Sequence, residues 1–187
     1  MSEEEFWKEF IKRRTEFIKK YQEIEERVNT VKVIFLDIDG VLNCQSSKSK
    51  CGGFIGIDDS KVKLLKEIVD ATGARIVLCS SWKSCWEKFY KTDQHEIGNY
   101  LDRKFKRCQL YILDKTTDKG SNRGYGINQW LLNKPNVESW IVLDDDIFDD
   151  YESEGIMPHL VKTSFYDDLG GLQRCSVDSA IKMLNGE

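Results

Sequence analysis

Val31-Lys32-Val33-Ile34-Phe35-Leu36-Asp37-Ile38-Asp39-Gly40-Val41-Leu42-Asn43 is the stretch whose reading decides the fold. An apolar run rich in β-branched residues spells a strand, and it stops abruptly at two aspartates one residue apart, followed by glycine. A buried strand has no structural use for two acids at its end, because charge beside a core is costly without a partner. In an open α/β sheet the carboxyl ends of the strands are where ligands bind, so both carboxylates arrive at the expected site.

Outward from that strand, helices and strands alternate. Val31–Leu36 is read as a strand and Ser60–Val69 as a helix capped by Asp59 or Ser60. Arg75–Cys79 reads as the second strand, and a helix over about Cys85–Phe105, interrupted near Thr92-Asp93, follows it. Gln109–Leu113 is the third strand, Tyr125–Leu132 a helix, Trp140–Leu143 the fourth strand and Leu160–Phe165 a fifth; a last helix covers about Val177–Leu184. The pattern predicts a Rossmann-like parallel sheet of about five strands with helices on both faces. Cys44–Gly56, with its Ser, Lys and Gly residues, is expected to be a flexible flap directly after the aspartates.

Residues 1–29 read as a separate amphipathic helix, with 30–187 as the catalytic-type domain. In the first segment Phe6, Phe10, Phe17, Tyr21, Ile24 and Val28 form one stripe against a face of Lys, Arg and Glu. It either packs on the domain or offers an interaction surface; oligomeric state is open.

Bulk composition narrows the class. A chain of 187 residues suits one domain able to bury its own core. A net charge of −4 gives the whole molecule no electrostatic pull toward nucleic acid or an anionic membrane. No apolar stretch approaches the ~18 residues of a membrane span, and the opening Met-Ser-Glu-Glu-Glu is unlike a signal peptide. The cytoplasm is the expected compartment. The six cysteines are scattered without a C-x-x-C pair and only two histidines accompany them, which argues against zinc and for reduced thiols.

Parallel strands should bring their carboxyl ends to one edge. The first contributes Asp37 and Asp39, the second ends in Ser80-Ser81-Trp82, the fourth ends in Asp144-Asp145-Asp146, and Arg123-Gly124 opens the intervening helix. Three carboxylates from Asp37, Asp144 and Asp145 would repel, by about 1 kcal/mol per pair at 4 Å in water and about 4 kcal/mol at an effective dielectric of 20. Such a cluster calls for a cation, and oxygen-only ligation favours Mg²⁺ over a softer metal. A serine hydroxyl and a fixed guanidinium beside it are what a phosphate group requires. One carboxylate can then act as nucleophile and a second as general acid and base.

Taken together, these residues resemble the haloacid dehalogenase-like (HAD) superfamily of phosphohydrolases. Its D-x-D-G-x-[TV]-L motif stands as Asp37-Ile38-Asp39-Gly40-Val41-Leu42, its strand ending in Ser or Thr as Ile76-Val77-Leu78-Cys79-Ser80, and its paired acids as Leu143-Asp144-Asp145. Its basic residue at a helix start is matched by Arg123, with Lys119 as rival. More narrowly, Leu78-Cys79-Ser80-Ser81-Trp82, Arg123-Gly124 before Trp130-Leu131, and Val142-Leu143-Asp144-Asp145 resemble the small HAD domains of Swiss Army Knife RNA repair proteins.

The resemblance implies a Mg²⁺-dependent phosphomonoesterase working through an aspartyl-phosphate. Asp37 would be nucleophile and Asp39 the proton carrier. Asp37, the Asp39 backbone carbonyl, Asp144 and Asp145 would hold the metal, and Ser80 and Arg123, with rivals Ser81 and Lys119, the phosphate. The intervals Asn43–Ser60 and Trp82–Asn122 are too short for a folded cap, so a nearly capless site open to large substrates is expected. Arg103-Lys104-Phe105-Lys106-Arg107, with Lys83, Lys88 and Lys91, suggests either a basic strip for a phosphate backbone or a solvated helix face. The expected partner is a phosphorylated small molecule or nucleic-acid end, with no membrane involved. Alternatives to a general phosphatase are a nucleic-acid 3′-end phosphatase in RNA or DNA repair and a non-catalytic phosphate-binding regulatory module.

Overall fold

The computed structural model describes residues 5, 7, 30–89, 94–118, 122–134, 136–167 and 169–187. It divides into two compact units, Met1–Thr30 and Val31–Glu187. In the first, Glu5 and Trp7 are helical; the rest of the N-terminal stripe, like Lys91 and Thr92-Asp93, lies outside the described residues.

The second unit is built on a five-stranded sheet, with β1 (Val31–Leu36) at its centre and the small strands β2 (Lys50–Cys51) and β3 (Phe54–Ile55) beside it as a separate hairpin. β4 (Arg75–Leu78), β5 (Ile112–Lys115), β6 (Val137–Asp144) and β7 (Leu160–Lys162) complete the main sheet in the order β5-β4-β1-β6-β7. Every pairing in it is parallel, with Leu36 level with Leu78 on one side and Leu143 on the other. The chain reverses direction across the sheet at β1, so the ends of β4 and β6 flank the end of β1. That switch point is where an open α/β sheet forms a crevice.

Alternation of side chains along each strand sorts the core into two layers. Ile34, Leu36, Ile76, Leu78, Ile141 and Leu143 face one side and pack with α1 (Asp59–Thr72), α2 (Glu96–Arg107) and α4 (Arg174–Asn185), whose Val62, Leu65, Leu101, Phe105, Val177 and Leu184 are buried. Val33, Phe35, Val77, Cys79 and Val142 face the other side, covered by Ile127 and Trp130 of α3 (Arg123–Leu132) together with Tyr151 and Ile156. Full burial of each such side chain contributes about 1.5–3 kcal/mol, which holds the β1 end rigidly in register with its neighbours.

Several boundaries move from the sequence reading. The first helix of this unit begins at Asp59 behind Asp58, because the Asp58 carboxylate accepts a hydrogen bond from Ser47 Oγ at 2.5 Å and the helix closes at Gly73, whose φ is 71°. Of the helix expected over Cys85–Phe105, the part from Glu96 lies in α2, whose start is capped by His95 Nδ1 accepting from the Ile97 amide at 3.2 Å, while a separate 3-10 turn at Ser81–Cys85 precedes it. The third strand begins three residues late, since Gln109 sits at φ 55° and turns the chain.

The flap is not loose. Cys44–Gly56 folds into the β2–β3 hairpin, turning at Gly52, and the Cys44 amide donates to Ser47 Oγ at 2.9 Å. Behind the hairpin, the Ile57 amide donates to Tyr100 Oη of α2 at 2.9 Å. All six cysteines are free thiols. Among the described residues no helix is long and apolar enough to cross a membrane.

Candidate active site

Asp37 follows the last residue of β1 and is nearly sealed from solvent; its amide donates to the Leu143 carbonyl at 2.9 Å, extending the strand pairing by one residue. Asp144 ends β6 and is fully buried. Arg123, the first residue of α3, reaches between them: its Nη1 lies 2.6 Å from Asp144 Oδ2 and 3.2 Å from Asp37 Oδ1. The guanidinium stacks on Phe148, 4.1 Å from the ring centroid, which fixes its plane. Tyr151 Oη donates to the same Asp144 oxygen at 2.7 Å, and the Asp146 amide donates to the other at 3.0 Å.

One guanidinium does not balance three carboxylates. Oxygens of Asp37, Asp144 and Asp145 lie within 4.8 Å of one another. Burial, opposed by Arg123 and reinforced by Asp144, pushes the Asp37 carboxyl up to about 7. Burial and Asp144 also raise Asp145. Arg123 stays charged, because Asp37 and Asp144 outweigh the cost of its burial. Burial and Asp144 push Tyr151 upward, so it remains a hydroxyl donor.

The donor set fits a hard divalent cation such as Mg²⁺: three carboxylates on one side of a strand end, all oxygen, with an unbalanced negative charge. Gly40 supports the fit. Its φ is 73°, and a Cβ placed there would fall 2.1 Å from Asp145 Cγ, so glycine is what lets the Asp145 carboxylate close on the cluster.

Asp39 is arranged differently. Its carboxylate points away from the buried cluster, with Oδ2 accepting from the Trp82 indole at 2.9 Å and Oδ1 from Asn43 Nδ2 at 2.8 Å. Asn43 is itself fixed, its Oδ1 accepting from the Gly40 amide at 3.0 Å. Trp82 therefore orients Asp39. Asn43 carries no weight in the sequence reading, yet an amide side chain four residues after Asp39, in a tight turn, is the kind of residue that satisfies local polar groups.

Ser80 is buried, where its hydroxyl lowers the Asp37 carboxyl against the effect of burial and also caps the 3-10 turn by accepting from the Trp82 amide at 3.4 Å, while Ser81 lines the cleft outside. Arg123 sits in the site; Lys119 lies outside the described residues. Asp150, in the turn after β6, caps α3 by accepting from the Tyr125 amide at 2.9 Å, a favourable place for a carboxylate.

Three cations of the expected basic strip have acidic partners within the fold. Lys83 is tied to Asp118 at 2.6 Å, Lys88 to Asp114 at 3.4 Å and Lys104 to Asp59 at 2.7 Å, while Phe105 is core.

Above Asp39 opens a cleft of about 1000 Å³. Its lining includes Asp39, Asp145, Ser81 and Trp82, but not Asp37 or Arg123, which lie beneath its floor.

A family model for the HAD domain in Swiss Army Knife RNA repair proteins matches residues 33–171. The chain belongs to this family. The match spans every element that supplies the site, from β1 to the loop after β7, and the parallel sheet is that of a HAD fold. HAD domains are in general hydrolases and phosphatases that typically use Mg²⁺, and the acidic cluster stands where such an ion would be held. No curated protein and no solved structure matches the chain.

Proposed function

We propose that this HAD domain is a phosphomonoesterase that works through an aspartyl-phosphate on Asp37. The observation that carries the reading is the division between a buried, charged group at Asp37–Arg123–Asp144 and a second aspartate, Asp39, held by neutral donors at the floor of an open cleft. Asp37 Oδ attacks phosphorus as the ester P–O bond breaks, and Asp39 gives its proton to the departing oxygen. Asp39 then takes a proton from the water that attacks the phosphorus of the acyl phosphate, releasing inorganic phosphate and restoring Asp37.

Arg123 and Ser80 accompany the phosphoryl oxygens as charge shifts among them, which is where catalysis of phosphoryl transfer chiefly lies. Mg²⁺, held by Asp37, Asp144 and Asp145 with the Asp39 carbonyl, would offset the carboxylates' repulsion of an anionic substrate. Arg123 already neutralises part of that repulsion.

Hydrolysis of a panel of phosphate esters with Mg²⁺, by the parent chain and by Asp37→Asn, tests the reading. Turnover that survives in Asp37→Asn would sink it. A nucleic-acid 3′-end phosphatase is the narrower form, favoured by the open cleft and by the repair proteins in which this family occurs. Faster turnover of a 3′-phosphorylated oligonucleotide than of the matching free nucleotide would support it. A folded protein with neither turnover nor Mg²⁺ binding would instead point to a phosphate-binding regulatory module.

A further inference from the structure

The cleft above Asp39 is the compartment of the leaving group, because the acid that protonates the departing oxygen lines it and the nucleophile does not. Sheet topology sets its two walls. Ser81, Trp82 and Cys85 follow β4 on one side of β1, while Asp146, Phe165 and Tyr166 follow β6 and β7 on the other. The hairpin joins the first wall, since its base is tied to Tyr100 of α2 and Trp82 packs on that same ring with centroids 6.4 Å apart.

Each wall carries an aromatic ring that the fold does not use. Phe54, raised by the hairpin turn, is 68% exposed, and Tyr166 is 78% exposed although both line the same cleft. Tyr166 is braced edge-on by Phe165, with centroids 5.2 Å apart, which limits the entropy lost when a partner stacks on it. Serine hydroxyls from Ser81, Ser84 and Ser164 lie among the rings. Ser84 Oγ already donates to the Ser81 carbonyl at 2.9 Å and Ser164 Oγ accepts from the Asp167 amide at 3.3 Å, yet the hydrogen-bonding capacity these hydroxyls keep suits a heterocycle with polar edges better than a purely apolar ligand.

The charge of the cleft narrows the ligand further. Asp39, Asp145 and Asp146 face it against one cation among the described lining residues, Lys162, whose Nζ donates to the Asp145 carbonyl. A second phosphate beyond the scissile one is disfavoured there. We infer that Phe54 and Tyr166 grip the nucleobase of the nucleotide that carries the scissile phosphate, making the enzyme selective for base-bearing monophosphates over ring-free phosphate esters. The assignment rests on the phosphomonoesterase reading of the same site and adds the chemistry that the leaving group must have.

The test compares a nucleoside 3′-monophosphate, an oligonucleotide ending in the same 3′-phosphorylated nucleotide, and glycerol phosphate. Parent and variant chains are assayed for kcat/KM, and binding of the same compounds to Asp37→Asn is measured by calorimetry. Stacking of one base on one aromatic ring is worth a loss of at least about fivefold on truncation. The parent should therefore favour both base-bearing compounds over glycerol phosphate, and Phe54→Leu and Tyr166→Leu should each shrink that preference at least about fivefold. Phe54→Trp should keep it.

Equal treatment of all three compounds by the parent, or a preference untouched by both leucine variants, would overturn the clamp while leaving the phosphatase reading intact. No turnover of any compound would count against the phosphatase reading, and calorimetry would then judge the clamp alone: tighter binding of the base-bearing compounds supports it, equal binding rejects it. A preference for the oligonucleotide over the monophosphate, lost on truncation of Phe54, would show the base being read at a chain end; equal rates would show it being read on the free nucleotide.

Discussion

Asp37 and Asp39 are two residues apart and occupy opposite chemical worlds. Asp37 is sealed among charges, with Arg123 at 3.2 Å and burial pushing its carboxyl up to about 7. Asp39 is half-buried, has no ion pair among the described residues, and is held by an indole and an amide at 2.9 and 2.8 Å. Strand geometry explains the divergence: Asp37 still follows the pairing of β1 with β6, whereas Asp39 begins the turn at Gly40 and faces the cleft. Adjacent carboxylates can thus take different roles because the backbone sends them into different dielectric environments.

The comparison breaks most sharply at Asp37. Asp37→Asn is expected to lower kcat by roughly 10³-fold or more on every phosphate ester, as removal of a nucleophile does. Steady-state assays with Mg²⁺ on aryl and alkyl phosphates measure this, and a loss confined to one substrate class would contradict the assignment.

Arg123 ties the charged half together. Arg123→Leu leaves Asp37 and Asp144 buried without their cation, which should cost about 3–5 kcal/mol of stability. Chemical denaturation reads it directly; a change below 1 kcal/mol would mean, on the same scale, that the carboxylates had found other partners.

On the neutral half, Trp82→Phe removes the indole donor to Asp39 and keeps the ring. About tenfold is expected to be lost for alkyl phosphates, whose leaving oxygen needs a proton, and little for p-nitrophenyl phosphate; the loss is only part of the roughly 10²–10⁴-fold a positioned general acid contributes, because Asn43 still holds Asp39. Equal loss for both would mark Trp82 as structural only.

A separate effect falls on pH-dependent stability without divalent metal. Asp37 has an ordinary value of 3.8 and a folded value of about 7, so the folded chain keeps an extra proton between those limits. The stability this group contributes is full below about pH 4 and is lost as pH rises through about 7. Asp37→Asn cannot ionise, so it should melt above the parent at pH 8, with the gap closing toward pH 4; an inverted trend would reject the raised value.

Much of this was legible in the chain because it is written locally. The run Val31–Leu36, the acids behind it, and Leu143-Asp144-Asp145 need only a strand and its end to be read. Arg123 was legible as the first residue of a helix. Trp82 as a donor to Asp39 was not, since the two lie 43 residues apart and meet only through the pairing of β1 with β4. The hairpin was hidden by its polar composition: what orders it is Ser47 and Tyr100 at its base, contacts that no local pattern announces. The acidic partners of Lys83, Lys88 and Lys104 in the basic run are likewise out of reach of a local reading, because those carboxylates come from distant segments.

Asp39→Asn offers the most direct test of the division of labour between the two aspartates. With p-nitrophenyl phosphate as substrate, the first transfer needs little proton help, while hydrolysis of the acyl phosphate lacks its base. Acid quench during turnover, borohydride reduction and peptide mass spectrometry should find Asp37, and no other carboxylate, reduced to homoserine. Release of p-nitrophenol with Asp37 unmodified, or reduction at a different carboxylate, would contradict the account.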